Sequence, residues 1–194
     1  WMAIGQEGNY YLIVRLNSLP VGAVPYMASG NYNYTSSNVR NAIELWYDNV
    51  NTGTNTGVST GTLEGLKSFA VRSDADVAVG QYGNVTAPIS KPNATTGYAY
   101  PFALSYQEGA KYMCVEWHNG TGFSKAGMGQ YANSNWNVFE GSVSSENATW
   151  LRSVGMVASD GAWLHHVKGQ LGRSPVTAPN YIHPAMWVKA EIFD

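Results

Sequence analysis

Thr149-Trp150-Leu151-Arg152-Ser153, Ala162-Trp163-Leu164-His165-His166-Val167 and Ala185-Met186-Trp187-Val188-Lys189-Ala190-Glu191-Ile192-Phe193 are the three runs that decide the fold class. Each is short, rich in aromatic and β-branched residues, and bounded by Gly, Pro or Ser, which is the signature of strands. In the last run Met186, Val188, Ala190 and Ile192 alternate with Lys189 and Glu191. That period of two predicts one buried and one wet face. A Gly-rich turn is expected at 168–172, directly after the second run.

Working outward, Asn9-Tyr10-Tyr11-Leu12-Ile13-Val14-Arg15-Leu16 reads as another strand, closed off by Pro20 and Gly22. The clearest helix comes next along the chain. Ser36, Ser37 or Asn38 can cap it, and Val39, Ile43, Trp46, Tyr47 and Val50 recur at helical spacing. Residues 51–61, nearly all Asn, Thr and Gly, predict a loop. A short helix or turn is expected over 63–69, a strand over 70–72, and irregular surface over 80–100. Lys111-Tyr112-Met113-Cys114-Val115-Glu116-Trp117 reads as a strand ending at the hairpin signal His118-Asn119-Gly120. Residues 120–137 read as a second long irregular stretch. The expectation is one α+β domain over residues 1–194, with short strands late, one or two helices in the N-terminal half, and long ordered loops of the kind that carry function.

Composition narrows the function classes. Hydrophobic residues make up 44% of the 194 positions, enough for a core, but only 12% are charged, about half of the roughly 25% usual in soluble domains. Gly, Asn, Ser, Thr and Tyr wet the surface instead. That palette, shared with antibody contact loops, points to an extracellular, cell-surface or virion location. The net charge is −2 and no run of Lys or Arg occurs, which argues against nucleic acid and against electrostatic attachment to membranes. No stretch has the ~18–20 continuous apolar residues of a spanning helix, so membrane insertion is not expected. No signal peptide is visible, so the chain reads as a mature or excised domain. Cys114 is the single cysteine, so no intrachain disulfide forms, and its apolar neighbours suggest a buried thiol.

Catalytic and metal patterns are missing. There is no His-Glu-x-x-His, Cys-x-x-Cys, Gly-x-Ser-x-Gly or phosphate loop. His165 and His166 are adjacent, and on a strand they point to opposite faces. Asp74-Ala75-Asp76 reads as a solvated turn rather than a calcium loop. The chain is therefore expected not to be an enzyme and to need no cofactor or metal. Were it an enzyme, His118, His183, Asp160 and Glu116 would be the places to look. Asn33, Asn84, Asn93, Asn119 and Asn147 sit in Asn-x-Ser/Thr sequons, which abound by chance in such a composition.

The run Trp150-Leu151-Arg152-Ser153-Val154-Gly155, then Gly161-Ala162-Trp163, Gly169 and Tyr181-Ile182-His183-Pro184-Ala185-Met186-Trp187-Val188, resembles the C-terminal end of an uncharacterised bacterial and phage domain family. Tyr34-Thr35-Ser36-Ser37-Asn38-Val39-Arg40 with Trp46 resembles that family's helix start. Val154 and His183 depart from its pattern, where Pro and Arg are usual. The layout is similar to the formylglycine-generating-enzyme-like branch of the C-type lectin fold, which includes the variable proteins of diversity-generating retroelements. The lone Cys114 does not match that enzyme's chemistry, and the calcium motifs of sugar-binding lectins are missing.

The resemblance implies that the first and last strands pair near each other and that residues 150–181 form a contact face. On it, Ser153, Val154, Ser159, Asp160, His165, His166 and Tyr181 would be variable contacts. Trp150, Trp163 and Trp187 would be scaffold, with Trp163 also counted as a contact. The implied role is display of a ligand-binding face to a protein or glycan on another cell. The rivals are a homo-oligomerising piece of a virion fibre or surface layer, and an enzyme whose site is not recognisable.

Overall fold

A computed structural model of the chain describes residues 1–49, 66–84, 89–92, 99–113, 116–118, 123–124, 148–165 and 170–193. Among these the protein is a mixed α+β structure, mostly strands with few and short helices. One five-stranded sheet contains β1 (Met2–Glu7), β2 (Tyr10–Val14), β4 (Ala70–Val71), β5 (Pro101–Ala103) and β12 (Pro184–Lys189). Its order is β1-β2-β12, and β12 then pairs with both β4 and β5, all antiparallel. A second five-stranded sheet runs β7-β6-β10-β9-β8. Its members are β6 (Glu116–His118), β7 (Phe123–Ser124), β8 (Ala148–Val154), β9 (Asp160–His165) and β10 (Gln170–Pro175). Only the β10–β6 contact in it is parallel. A two-stranded ribbon joins β3 (Val24–Pro25) to β11 (Pro179–Asn180).

The strand over 9–16 is present as β2, and its neighbours are β1 and the final strand, so the two ends of the chain meet in one sheet. Sequence reading misses β1, whose Gly5 and Gln6 dilute the strand signal. It exists because a two-residue turn, Gly8-Asn9, folds it onto β2, with Gly8 at φ 56°. Gly5 has a second role: a Cβ there would run into the Tyr112 ring at 2.8 Å.

The C-terminal alternation has a different meaning from the one expected. Residues 184–188 are all buried, so β12 has no wet face; only Lys189 is exposed. Its two faces serve two cores. Ala185 and Trp187 join a cluster with Leu12, Val14, Phe102, Tyr106 and Leu151, while Met186 and Val188 join Ile13, Ile43, Trp46, Trp150 and Ile182. Beyond Lys189 the chain leaves the sheet as a 3-10 turn, Ala190–Phe193.

The helix over 38–50 is found as α1 (Asn38–Asn49). Ser37 is its cap: the hydroxyl accepts the Arg40 amide at 2.9 Å. Val39, Ile43 and Trp46 are buried at i, i+4 and i+7 and pack on the second cluster. A helical turn occupies 66–69, where one was expected, and β4 follows it.

Two other expectations are corrected. The strand over 111–117 is helical up to Met113: one α-turn, Tyr106–Glu108, continues as a π-helical stretch, Gly109–Met113, and strand pairing starts only at Glu116. A capping box decides it. Ser105 accepts from the Glu108 amide at 3.1 Å, and Glu108 accepts from the Ser105 amide at 2.8 Å. The Gly-rich turn at 168–172 is also wrong from Gln170 onward, because β10 begins there. Gly172 belongs in that strand for a packing reason: its missing side chain makes room for the Trp163 indole on the neighbouring strand. Gly172→Ala is expected to push the indole off its site and cost about 1–3 kcal/mol, as overpacking does; urea unfolding with near-ultraviolet circular dichroism checks both. The expected loop at 51–61 and Cys114 lie outside the described residues; of the stretch expected to be irregular at 120–137 only Phe123–Ser124 are described, and they form strand β7 against β6.

Candidate binding surfaces

β8 is rooted by a buried ion pair. Arg152 and Glu108 both have fully buried side chains. The guanidinium reaches the carboxylate through two bonds, Nη1 to Oε2 at 2.6 Å and Nη2 to Oε1 at 2.9 Å. It also donates to the carbonyls of Ala78 (3.0 Å) and Ala103 (2.8 Å) and lies over the Phe102 ring. Glu108 accepts in addition from the Ser90 amide (2.9 Å), the Ser90 hydroxyl (2.5 Å) and the Ser105 amide. Burial pushes the Glu108 carboxyl up, but the Arg152 charge and these bonds outweigh it and hold the group below its ordinary value. Trp187 extends the network into the other sheet by donating to the Ser90 hydroxyl at 3.0 Å.

The hairpin that this root carries turns through 155–159. Met156 and Val157 at its tip are 58% and 53% exposed, which is unusual for adjacent large apolar residues in so polar a chain. The tip is held from several sides. Tyr82 N–H donates to the Val154 carbonyl (2.8 Å), Tyr32 N–H to the Ala158 carbonyl, Gly155 N–H to the Asp160 carbonyl (2.7 Å) and Val176 N–H to the Ser159 carbonyl (2.8 Å). Gly155 is obligatory, since a Cβ would collide with Asp160. The Tyr32 hydroxyl donates to the Arg152 carbonyl, and burial raises the phenol's pKa so that it keeps this proton.

The sequence-predicted contacts are divided by this geometry. Ser159 is exposed on the tip and Val154 is half-buried at its base, in a bridge with Gln81. Ser153 is a correction: it is fully buried, donates to the Val79 carbonyl and accepts from the Tyr106 amide, so it is scaffold. Asp160 is likewise mostly buried and ion-paired with Arg173. Trp163 is half-buried over Gly172. His165 pairs with Ala148 at the opposite end of β8 and β9, six residues along the strand or about 20 Å from the tip. Tyr181, half-buried, bridges Thr149 at that same far end. The set is thus split between the two ends of the hairpin. His166 and the side chain of His165 lie outside the described residues, as do the side chains of His118 and Glu116. His183 is buried, with its Nδ1 hydrogen-bonded to the Thr149 hydroxyl. The Asp74 and Asp76 carboxylates diverge, one to the Lys91 amide at 2.7 Å and the other to Arg40.

A second surface escapes the sequence reading. Between α1 and residues 19–25 lies an open apolar groove of about 400 Å³, walled by Leu19, Pro20, Val24, Ala42, Leu45 and Trp46. Val21 and Leu45 stand exposed at its mouth. The loop wall is pinned by Asn38, whose amide side chain donates to the Pro25 carbonyl (3.1 Å), and by Trp150, whose Nε1 donates to the Val24 carbonyl (2.8 Å). Arg15 packs against Trp46. Its guanidinium carbon is 5.6 Å from the centroid of the Trp46 ring, and Nη1 donates to the carbonyls of Asn17 (2.6 Å) and Ser18. Burial pushes the Arg15 pKa down. The hairpin tip has a sequence signal that went unused, the pair Met156-Val157 in a polar turn; the groove has none, since its walls are distant in the chain.

Among the described residues no helix is long and apolar enough to cross a membrane, and no three His, Cys, Asp or Glu side chains gather where they could hold a metal. No protein-family model, no curated protein and no solved structure matches this chain.

Proposed function

We propose that this chain is a ligand-binding display domain of C-type-lectin-like organisation that contacts a protein or glycan on another cell. On this reading it is not an enzyme, and it works outside the cell, on a cell or virion surface. The observation that carries the reading is the β8–β9 tip: two exposed apolar side chains on a turn that is hydrogen-bonded from several sides and rooted in a buried ion pair. A rigid scaffold with apolar contacts at a loop tip binds without a large ordering cost. The pairing of the chain's two ends in one sheet, with a second sheet carrying the tip, fits the C-type-lectin-like layout. The polar, charge-poor surface fits an extracellular or virion setting and the palette of diversified retroelement proteins. Val154, Ser159 and Gln81 are the polar and small neighbours that would tune specificity at the tip.

The test is binding of the purified domain to arrays of glycans and bacterial surface proteins, beside a Met156→Asp/Val157→Asp variant. Both positions are exposed, so the variant is expected to keep its stability within about 0.5 kcal/mol per site and to lose binding. Binding that persists in the folded variant overturns the tip as the contact. The same apolar pair favours one other reading, a homo-oligomer joined through the tip. It predicts a stable oligomer in sedimentation that the variant dissolves, with no array binding.

A further inference from the structure

Three segments meet at the end of the β8–β9 hairpin: the tip itself, residues 155–159, and two flanking stretches, 28–33 and 80–84. Backbone bonds fasten the flanks to the tip. Tyr32 N–H donates to the Ala158 carbonyl, and Tyr82 N–H to the Val154 carbonyl at 2.8 Å, beside the Gln81–Val154 bridge. None of the three segments contains a charged side chain. Asp160, which follows the tip, is paired with Arg173. Met156 and Val157 are exposed on the tip, and Asn31, Asn33, Gln81 and Ser159 are exposed on the segments that adjoin them. Apolar contacts with uncharged amides and hydroxyls beside them match the make-up of protein interfaces, whose centres are depleted of charge.

Two features set a glycan aside. A sugar brings hydroxyls, which need hydrogen-bonding partners once desolvated, and C–H faces, which flat aromatic rings match. The carbonyls of Val154, Val157, Ala158 and Ser159 already accept from the protein's own amides. The rings of the flanking segments are turned inward as well. Tyr82 is 8% exposed and packs on Tyr106 with centroids 5.0 Å apart. Tyr32 packs on Tyr26 at 5.3 Å, and its hydroxyl donates to the Arg152 carbonyl. What the tip offers is chiefly two aliphatic side chains. We infer, on the reading of the tip as the contact, that the partner is a protein with an uncharged apolar pocket that takes up Met156 and Val157. Desolvated anchors in such a pocket carry most of the binding energy of an interface. With no charge in the three segments, there is little attraction for salt to screen.

The purified domain is assayed on an array of purified bacterial surface proteins and on a glycan array, and each protein that binds is titrated at about 50 mM and about 500 mM NaCl. Hits are expected on the protein array alone, with a Kd that changes less than about threefold between the two salts. Met156→Asp/Val157→Asp should weaken binding at least about tenfold. Met156→Leu, which keeps an apolar side chain of similar volume, should bind within about threefold of wild type. Circular dichroism checks that both variants are folded. Glycan binding that the Asp variant abolishes overturns the protein assignment and leaves the display reading standing. Protein binding that weakens about tenfold or more in high salt, or that Met156→Leu abolishes, likewise overturns it. Binding untouched by the folded Asp variant, or no binding on either array, overturns the display reading at the tip and this inference together.

Discussion

Arg152→Ala is expected to lower stability by about 3–5 kcal/mol, a fall in Tm of roughly 10 °C or more for a chain of this size. The cause is the charge left behind. Glu108 is fully buried, and without the guanidinium it must either keep an uncompensated charge or take up a proton. The backbone carbonyls of Ala78 and Ala103 lose their donors as well. Glu108→Ala should cost a similar amount, because it strands Arg152. The double replacement Arg152→Met/Glu108→Leu should recover much of the loss, since an apolar pair of similar volume needs no desolvation. Chemical denaturation of the four proteins checks these values; single variants within 1 kcal/mol of wild type would refute the role given to the pair.

The same pair sets an acid limit. The folded-state carboxyl of Glu108 lies below its ordinary value of 4.5, so its contribution is fully present above that pH. It is lost as the pH falls from about 4.5 through the lower folded value. Wild-type stability should therefore drop more steeply than that of the double variant over this acid range.

Trp150→Ala is the second large effect, expected at about 3–5 kcal/mol. The indole is fully buried, packs edge-on to Tyr26 at 5.2 Å and fills the space opposite Gly161, where a Cβ would meet it at 2.9 Å. Its removal leaves a cavity beside a glycine that cannot refill it, and takes away the donor of the Val24 carbonyl. The groove wall should loosen along with the core. Trp150→Phe should cost less in packing yet still lose the Val24 bond, so hydrogen exchange at residues 19–26 should rise in both variants. Exchange rates there that match wild type would mean that Trp150 does not hold the loop.

Much of the fold is legible in local pattern. The spacing of Val39, Ile43 and Trp46 marks α1, and Ser37 marks its cap, because a helix and its cap are specified within a dozen residues. The strand runs at 10–14, 148–154, 160–165 and 184–188 carry their own propensity. The failures show where local reading stops. Residues 111–113 read as the start of a strand because Tyr112 and Met113 suit a strand as well as a helix. The deciding contact is the Ser105–Glu108 capping box, whose acid is held in place by an arginine 44 residues away. Ser153 looks like a surface hydroxyl, yet the Val79 carbonyl and Tyr106 amide consume it.

By itself the sequence determined the secondary-structure class, the capped helix, the charge-poor surface and the lack of familiar catalytic motifs. These come from composition and short-range periodicity, which need no partner segment. Tertiary structure alone decided that β12 faces two cores, that the expected contacts separate to opposite ends of one hairpin, and that an apolar groove opens between α1 and residues 19–25. Each of these depends on which distant segments pack together, and burial and hydrogen-bond satisfaction are properties of that packing rather than of any residue read alone.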